Sequence, residues 1–390
     1  MKVLLISGEY PPMEGGVADF TAIIARELAA QGATVHVLTH VAAAGADDAA
    51  VIVHPMMRTW RWLSLYRTMR RLLREIEPDV VNIQYQAAAY AMHPAINLLP
   101  RMFPNTPFVV TFHDLKVPYL FPKAGPLRWR AILALARACR AVIVTNAEDH
   151  QRLADCRDIS RLVQIPIGSN VAPAPLTGYD RRAWRWRWHI PPDALVLCYF
   201  GFLNASKGGE ELIAALAEVC QRGYDAYLLM IGGAVGASDP TNRDYLALVK
   251  DAIRVQRLDE RVIWTGYLDA AEVSASFSCA DMCVLPYRDG VSFRRGSLMA
   301  ALAHGMSIVS TSPQIPLPEL VHGENIWLVP PCDPHSLADA IAHLGDAPAL
   351  RGRLGAGARA LARQFGWGEI AAHTMEVYHE ATKAPQPRRR

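Results

Sequence analysis

Short apolar runs that end in glycine-rich turns and lead into apolar-striped helices recur along this chain in two successive series. A parallel α/β sheet is the architecture that accommodates this pattern. "KVLLIS" stops at "GEYPPMEGG". "ADFTAIIARELAAQG" follows as a helix with Ile23, Ile24, Leu28 and Ala29 on one face and Gly32 as its stop, and "TVHVLT" is the next strand. "DVVNIQY", "FVVTFHD" and "AVIVTN" read as further strands, and residues 60–76 as a helix. "IPIGSNVAPAPLTG", rich in Pro, Gly and Ala, predicts a linker. The series then restarts with "LVLCYFGFLNASKGG", the helix "EELIAALAEVC" and the strands "AYLLMIGG", "RVIWTG", "MCVLPY" and "MSIVST". The prediction is two doubly wound domains facing across a cleft, with ligand at the carboxyl ends of the strands.

The size agrees: 390 residues, 51% of them hydrophobic, suffice for two cores. Forty Lys and Arg against 37 Asp and Glu leave a net charge of +3, too small to argue for nucleic acid as a partner. The seven cysteines form no metal-ligand cluster and read as buried thiols of a reducing compartment. "MKVLLISGEYPP" is too short an apolar stretch for a signal peptide, and no window nears the ~18 apolar residues of a membrane span. These features predict a cytoplasmic protein that needs no metal and no cofactor. Residues 60–76 set Arg67, Arg70, Arg71 and Arg74 among aromatic and apolar residues. That pattern suits either a core-packed helix with a solvated basic face or peripheral contact with an anionic inner membrane face. "RRAWRWRWHIPPD" reads as the packed first helix of the second domain rather than a nucleic-acid surface, and the tail "PQPRRR", with residues 384–390, as disordered.

Several turns carry candidate chemistry. Gly15 and Gly16 precede a helix start, where a ligand phosphate can approach the backbone, although a bare tight turn explains them equally. His113 and Asp114 end a strand; the imidazole is suited to donate to a sugar hydroxyl, or simply to cap the strand. Lys207 sits in a glycine turn before a helix, within reach of a phosphate there, although a solvated loop lysine is the commoner case. In "DGVSFRRGSLMAALAHG", Ser297 is the expected N-cap and Gly305 the residue past the helix end. Arg294 and Arg295 have the wrong sign for a helix N-terminus, which prefers acids, so they point to a bound anion such as a pyrophosphate. The strand ends and turns add Asn146, Gly201, Asn204, Gly233, Gly266, Tyr267, Ser292, Gly296 and Leu298 as candidate substrate-binding positions.

In their order, "GEYPPMEGGVADFTAIIARELAAQGATVHVLT", "TFHD", "GFLNASKG", "WTGYL", "ADMCVLPY", "AALAHGMSIVST" and "PELVHGENIWLVPPCDPHSLADAI" resemble the family 4 glycosyltransferases of GT-B fold, over residues 1–380. The resemblance implies two Rossmann-like domains. Residues 1–170 would bind the acceptor, a glycan or a lipid-linked molecule, and 171–365 a nucleotide-sugar donor. A helix over about 366–383 would cross back to the first domain. It further implies transfer to a hydroxyl with retention and without metal. His113 would lie at the donor sugar, Lys207 at the diphosphate, and the amides around Gly296, Ser297 and Leu298 at the phosphate. The family's Glu-x7-Glu pair aligns with Ser292 and Ala300, and its usual Arg partner of the lysine with Phe202. Arg294 or Arg295 is therefore expected to replace that cation, and the missing ribose-binding acid suits a deoxyribose nucleotide. A non-catalytic binding member and a sugar-nucleotide epimerase are the alternative readings.

Overall fold

A computed structural model describes residues 1–13, 15–45, 48–115, 125, 127–174, 176–233 and 241–383; the tail 384–390, expected to be disordered, lies outside them. The chain divides into two compact units, 1–168 with 367–390, and 169–366.

The first unit holds the strands β1 (Lys2–Ser7), β2 (Thr34–His40), β3 (Val51–Met57), β4 (Val80–Tyr85), β5 (Phe108–Phe112), β6 (Ala141–Val144) and β7 (Leu162–Gln164). Its helices are α1 (Gly16–Ala30), α2 (Trp62–Ile76), α3 (Ala95–Met102), α4 (Leu127–Ala138) and α5 (Ala147–Ala154). The strands form one parallel sheet in the order 3-2-1-4-5-6-7. The second unit holds β8 (Leu195–Phe200), β9 (Ala226–Ile231), β10 (Val262–Trp264), β11 (Met282–Leu285), β12 (Ile308–Thr311) and β13 (Trp327–Val329). Its helices are α6 (Arg181–Arg187), α7 (Gly209–Gln221), α8 (Thr241–Val255), α9 (Ala270–Cys279), α10 (Gly296–Ala303), α11 (Pro334–Gly345) and α12 (Pro348–Ala362). This sheet is also parallel, in the order 10-9-8-11-12-13. The last helix, α13 (Trp367–Lys383), belongs to the first unit. Both sheets reverse direction beside their first strand, at β1/β4 and β8/β11, the place where doubly wound sheets open a crevice at the strands' carboxyl ends.

The two-residue period of a strand explains why β1 is apolar throughout. Leu4 and Ile6 enter a core with Leu65, Met69 and Leu72 of α2 and Ile132 and Leu135 of α4. Val3 and Leu5 enter a second core with Ile24 and Leu28 of α1 and Ile370, Val377 and Tyr378 of α13. The helix expected at 60–76 is α2. Its apolar stripe is buried, while Leu63 is 59% exposed. The Arg and Trp cluster is α6, packed as expected. Arg185 is buried and donates to Cys279 O, Pro192 O and Ala194 O and to Asp281 Oδ2. Among the described residues no helix is long and apolar enough to cross a membrane.

Candidate active site

In the second unit the turn after β8 builds the densest group. Asn204 Oδ1 accepts from the backbone N and from Oγ of Ser206, at 3.1 and 2.8 Å, and so shapes the short turn Ala205–Lys207. Gly208 follows at φ +69°, with no room for a side chain: a Cβ there would lie 1.9 Å from Pro286 O. That conformation starts α7 and aims Lys207 back over the strand end. Gly201, at φ +104°, lies beside it: a Cβ there would be in ordinary contact with Lys207 Nζ at 3.5 Å and with Ser297 Cβ at 3.8 Å. Burial and, after it, the neighbouring Arg295 pull the Lys207 ammonium down to about 7.

Ser297 corrects one expectation. Arg295, not Ser297, is the N-cap of α10, and it makes no side-chain cap. Ser297 lies inside the first turn, its hydroxyl 2.6 Å from the Tyr287 hydroxyl. The first-turn N–H groups of Gly296, Ser297 and Leu298 have no partner within the helix. The far end is as read: His304 caps the helix, Gly305 takes φ +63°, and Met306 N donates to Ala301 O at 3.0 Å.

An acid stands beside the two arginines. Asp289 Oδ2 accepts from Arg294 Nη2 at 2.8 Å, and Asp289 Oδ1 from Arg295 Nη2 at 2.5 Å. One carboxylate is shared between the two guanidiniums. The Arg294 side chain is only 4% exposed. Arg295 lies with its guanidinium carbon 4.9 Å from the Tyr287 ring centre, and its Nη2 is 3.4 Å from Ser206 Oγ, so it ties the Lys207 turn to the start of α10. Ser292 shapes the intervening turn, its Oγ accepting from Arg294 N and its carbonyl from Arg295 N. Arg288, missed in the sequence, clamps Glu210 and Glu211 at the start of α7.

The remaining positions of this unit spread outward. Gly233 faces the Phe202 ring, 3.1 Å from where its Cβ would be. Gly266 bridges to Gly232, and Tyr267 is 81% exposed. Ala300 is buried within α10.

In the first unit His113 lies just beyond β5. Its Nε2 is 2.9 Å from Gln84 Oε1, and the Phe20 ring packs edge-on at 4.7 Å. Burial pulls the imidazole down to about 4, so it is neutral at physiological pH. Asp114 follows it on the half-buried strand end. Asn146 is engaged structurally: it caps α5 by accepting from Asp149 N and donates to Asp149 Oδ2, both at 2.9 Å. Asp149 also accepts from Leu115 N at 3.1 Å, and burial lifts it to about 6. Gly15 caps α1 without a side chain, and Gly16 is open. The Glu9 carboxylate occupies the space a Gly15 side chain would take. Gln84 and Glu9 were missed; two amides, Asn82 and Gln84, alternating in an otherwise apolar strand were the available signal. Among the described residues no group of three or more His, Cys, Asp or Glu is arranged to hold a metal.

Residues 14–172 match the model of Glycosyltransferase Family 4, and residues 194–346 that of Glycosyl transferases group 1. The chain belongs to this glycosyltransferase family. A D-inositol 3-phosphate glycosyltransferase of Xylanimonas cellulosilytica is 30% identical over 268 residues, 67% of this chain and 61% of that relative's length. Among solved structures, sucrose-phosphate synthase of Thermosynechococcus elongatus superimposes with a TM-score of 0.77 at 20% identity, covering 99% of this chain and 100% of the other. HepE of Anabaena, solved in complex with UDP-glucose, gives 0.75 at 18% identity, covering 97% and 100%. The fold is GT-B.

Proposed function

We propose that this glycosyltransferase moves a sugar from a nucleotide-sugar to an acceptor hydroxyl with retention and without a metal, the second unit binding the donor and the first the acceptor. The observation that carries this reading is the convergence of Lys207, Gly201, Arg295 and the start of α10 on one strand end. A diphosphate there meets an ammonium, a guanidinium and free backbone N–H groups of a helix start, each suited to the charge that grows on the leaving group as the glycosidic bond breaks. Arg294 acts through Asp289, holding the turn rather than touching phosphate. With no acid at Ser292 or Ala300, the leaving diphosphate oxygen takes the acceptor's proton in a front-face attack, and the rate comes from positioning and charge stabilisation. His113 hydrogen-bonds the donor sugar. The acceptor is a glycan or a lipid-linked molecule, and the basic outward face of α2 gives peripheral contact with an anionic membrane.

The test is a thermal-shift screen of UDP, GDP, ADP and dTDP and their glucose conjugates, followed by product analysis. A cognate donor raises the melting temperature by mass action and is turned over or slowly hydrolysed with an axial product. Absence of any nucleotide response, or loss of none of it in Lys207→Ala, refutes the donor site. A response without turnover identifies a binding protein instead. UDP surpassing dTDP by a wide margin removes the deoxyribose expectation drawn from Ala300.

A further inference from the structure

The surroundings of His113 fix more than its position. Gln84 is buried on β4, in register with Ser7 of β1 and Thr111 of β5. Its Oε1 meets His113 Nε2 at 2.9 Å, while its amide nitrogen donates to Asn82 Oδ1 on the same face of the strand. Asn82 is held in turn by Thr111, whose Oγ1 is 3.1 Å from Asn82 Nδ2 and 3.2 Å from Asn82 Oδ1. The atom of this relay that meets the imidazole is the Gln84 carbonyl oxygen, which only accepts. A neutral imidazole has a single N–H, and here it is spent inward at Nε2. The other ring nitrogen is left with a lone pair.

We propose that Gln84 is a positioning residue that holds His113 as its Nε2–H tautomer, so that Nδ1 is presented to the donor sugar as a hydrogen-bond acceptor. This rests on the reading of His113 as a contact of the donor sugar and reverses the direction of the bond the sequence suggested. The substrate group opposite His113 must then be a donor, a hydroxyl or an amide N–H. A sugar carrying only an acceptor there, such as a deoxyfluoro analogue, leaves two lone pairs facing each other and is disfavoured.

Long-range 1H–15N spectra of the full chain labelled with 15N-histidine read the tautomer without any ligand, with His113→Asn assigning the signal. The expected wild-type spectrum at pH 7 shows a protonated Nε2 and a bare Nδ1. Gln84→Met keeps the length of the side chain but has no carbonyl, and shifts the ring toward a mixture of tautomers. A proton on Nδ1 in the wild type, or a tautomer unchanged in a folded Gln84→Met, overturns the assignment; the wild-type spectrum decides alone if the variant does not fold. UDP-glucose is then added. A raised melting temperature with a shifted Nδ1 signal supports the sugar contact, and a raised melting temperature with Nδ1 unmoved overturns it. A chain whose melting ignores UDP-glucose and likewise the GDP, ADP and dTDP conjugates fails the donor reading of the previous section, while the ligand-free tautomer still decides the role of Gln84.

Discussion

Replacing Lys207 by methionine is expected to stabilise the second unit and at the same time to abolish its response to nucleotide diphosphate. The ammonium lies over Gly201, with Arg295 close by. The acids nearby are already engaged: Asp289 with Arg294 and Arg295, Glu210 and Glu211 with Arg288. Lys207 is consequently held at about 7. From there up to the ordinary lysine range the unfolded chain binds a proton that the folded chain does not, so stability rises with pH across that window, and the penalty is full below about 7. At ~1.4 kcal/mol per pH unit the window amounts to ~5 kcal/mol. Solvent reaches part of the side chain and screens the charge, so we take ~2 kcal/mol for its removal. In a unit of this size that is ~4–8 °C in melting temperature. Thermal melts at pH 6.5 and 9.5 check it: Lys207→Met should melt above the wild type at pH 6.5, with the gap shrinking at 9.5. With UDP present the order should reverse at pH 6.5, because only the wild type binds. Wild-type affinity should then fall about tenfold per pH unit above about 7, since the amine must be reprotonated. A variant that melts below the wild type at pH 6.5, or UDP affinity flat from 6.5 to 9.5, refutes the argument.

Gly208→Ala forces a side chain onto a left-handed residue and against Pro286 O, so chemical denaturation should show a loss of ~3 kcal/mol or more, along with a weakened UDP response as Lys207 moves. The buried Tyr378 hydroxyl has no hydrogen-bond partner among the described residues, so Tyr378→Phe should leave stability equal or raise it by up to ~1–2 kcal/mol; a loss on thermal denaturation would reveal a missing partner. The apolar stripe of α2 is spent on the core, so any membrane attraction rests on the outward Arg67, Arg70 and Arg74 with Leu63. Co-sedimentation with vesicles rich in phosphatidylglycerol should be lost in Arg67→Glu/Arg70→Glu and in 0.5 M salt, and binding that survives both would require an apolar anchor elsewhere.

The sheets were readable wherever a strand is a continuous apolar run, as in β1, β8 and β11. β3 escaped because His54 and Pro55 interrupt its run. Lys207 was legible from its glycines, whose spacing is local. The pairing of Gln84 with His113 was not, because it depends on the register of β4 against β5, 29 residues apart. Asp289 stood in plain view five and six residues before the arginines. Only the turn through Ser292 folds it back onto them. The N-cap was misplaced for a related reason: Ser297 has a better partner in the buried Tyr287 hydroxyl than in its own backbone.

The closing helix has a consequence for how such a chain matures. Val3 and Leu5 near the start share a core with Ile370, Val377 and Tyr378. A ribosome therefore releases every residue of the middle unit before it releases the ones that finish the outer unit's hydrophobic wall. Nascent chains should acquire a protease-resistant middle portion first, with the amino-terminal sheet remaining open to a chaperone until α13 emerges.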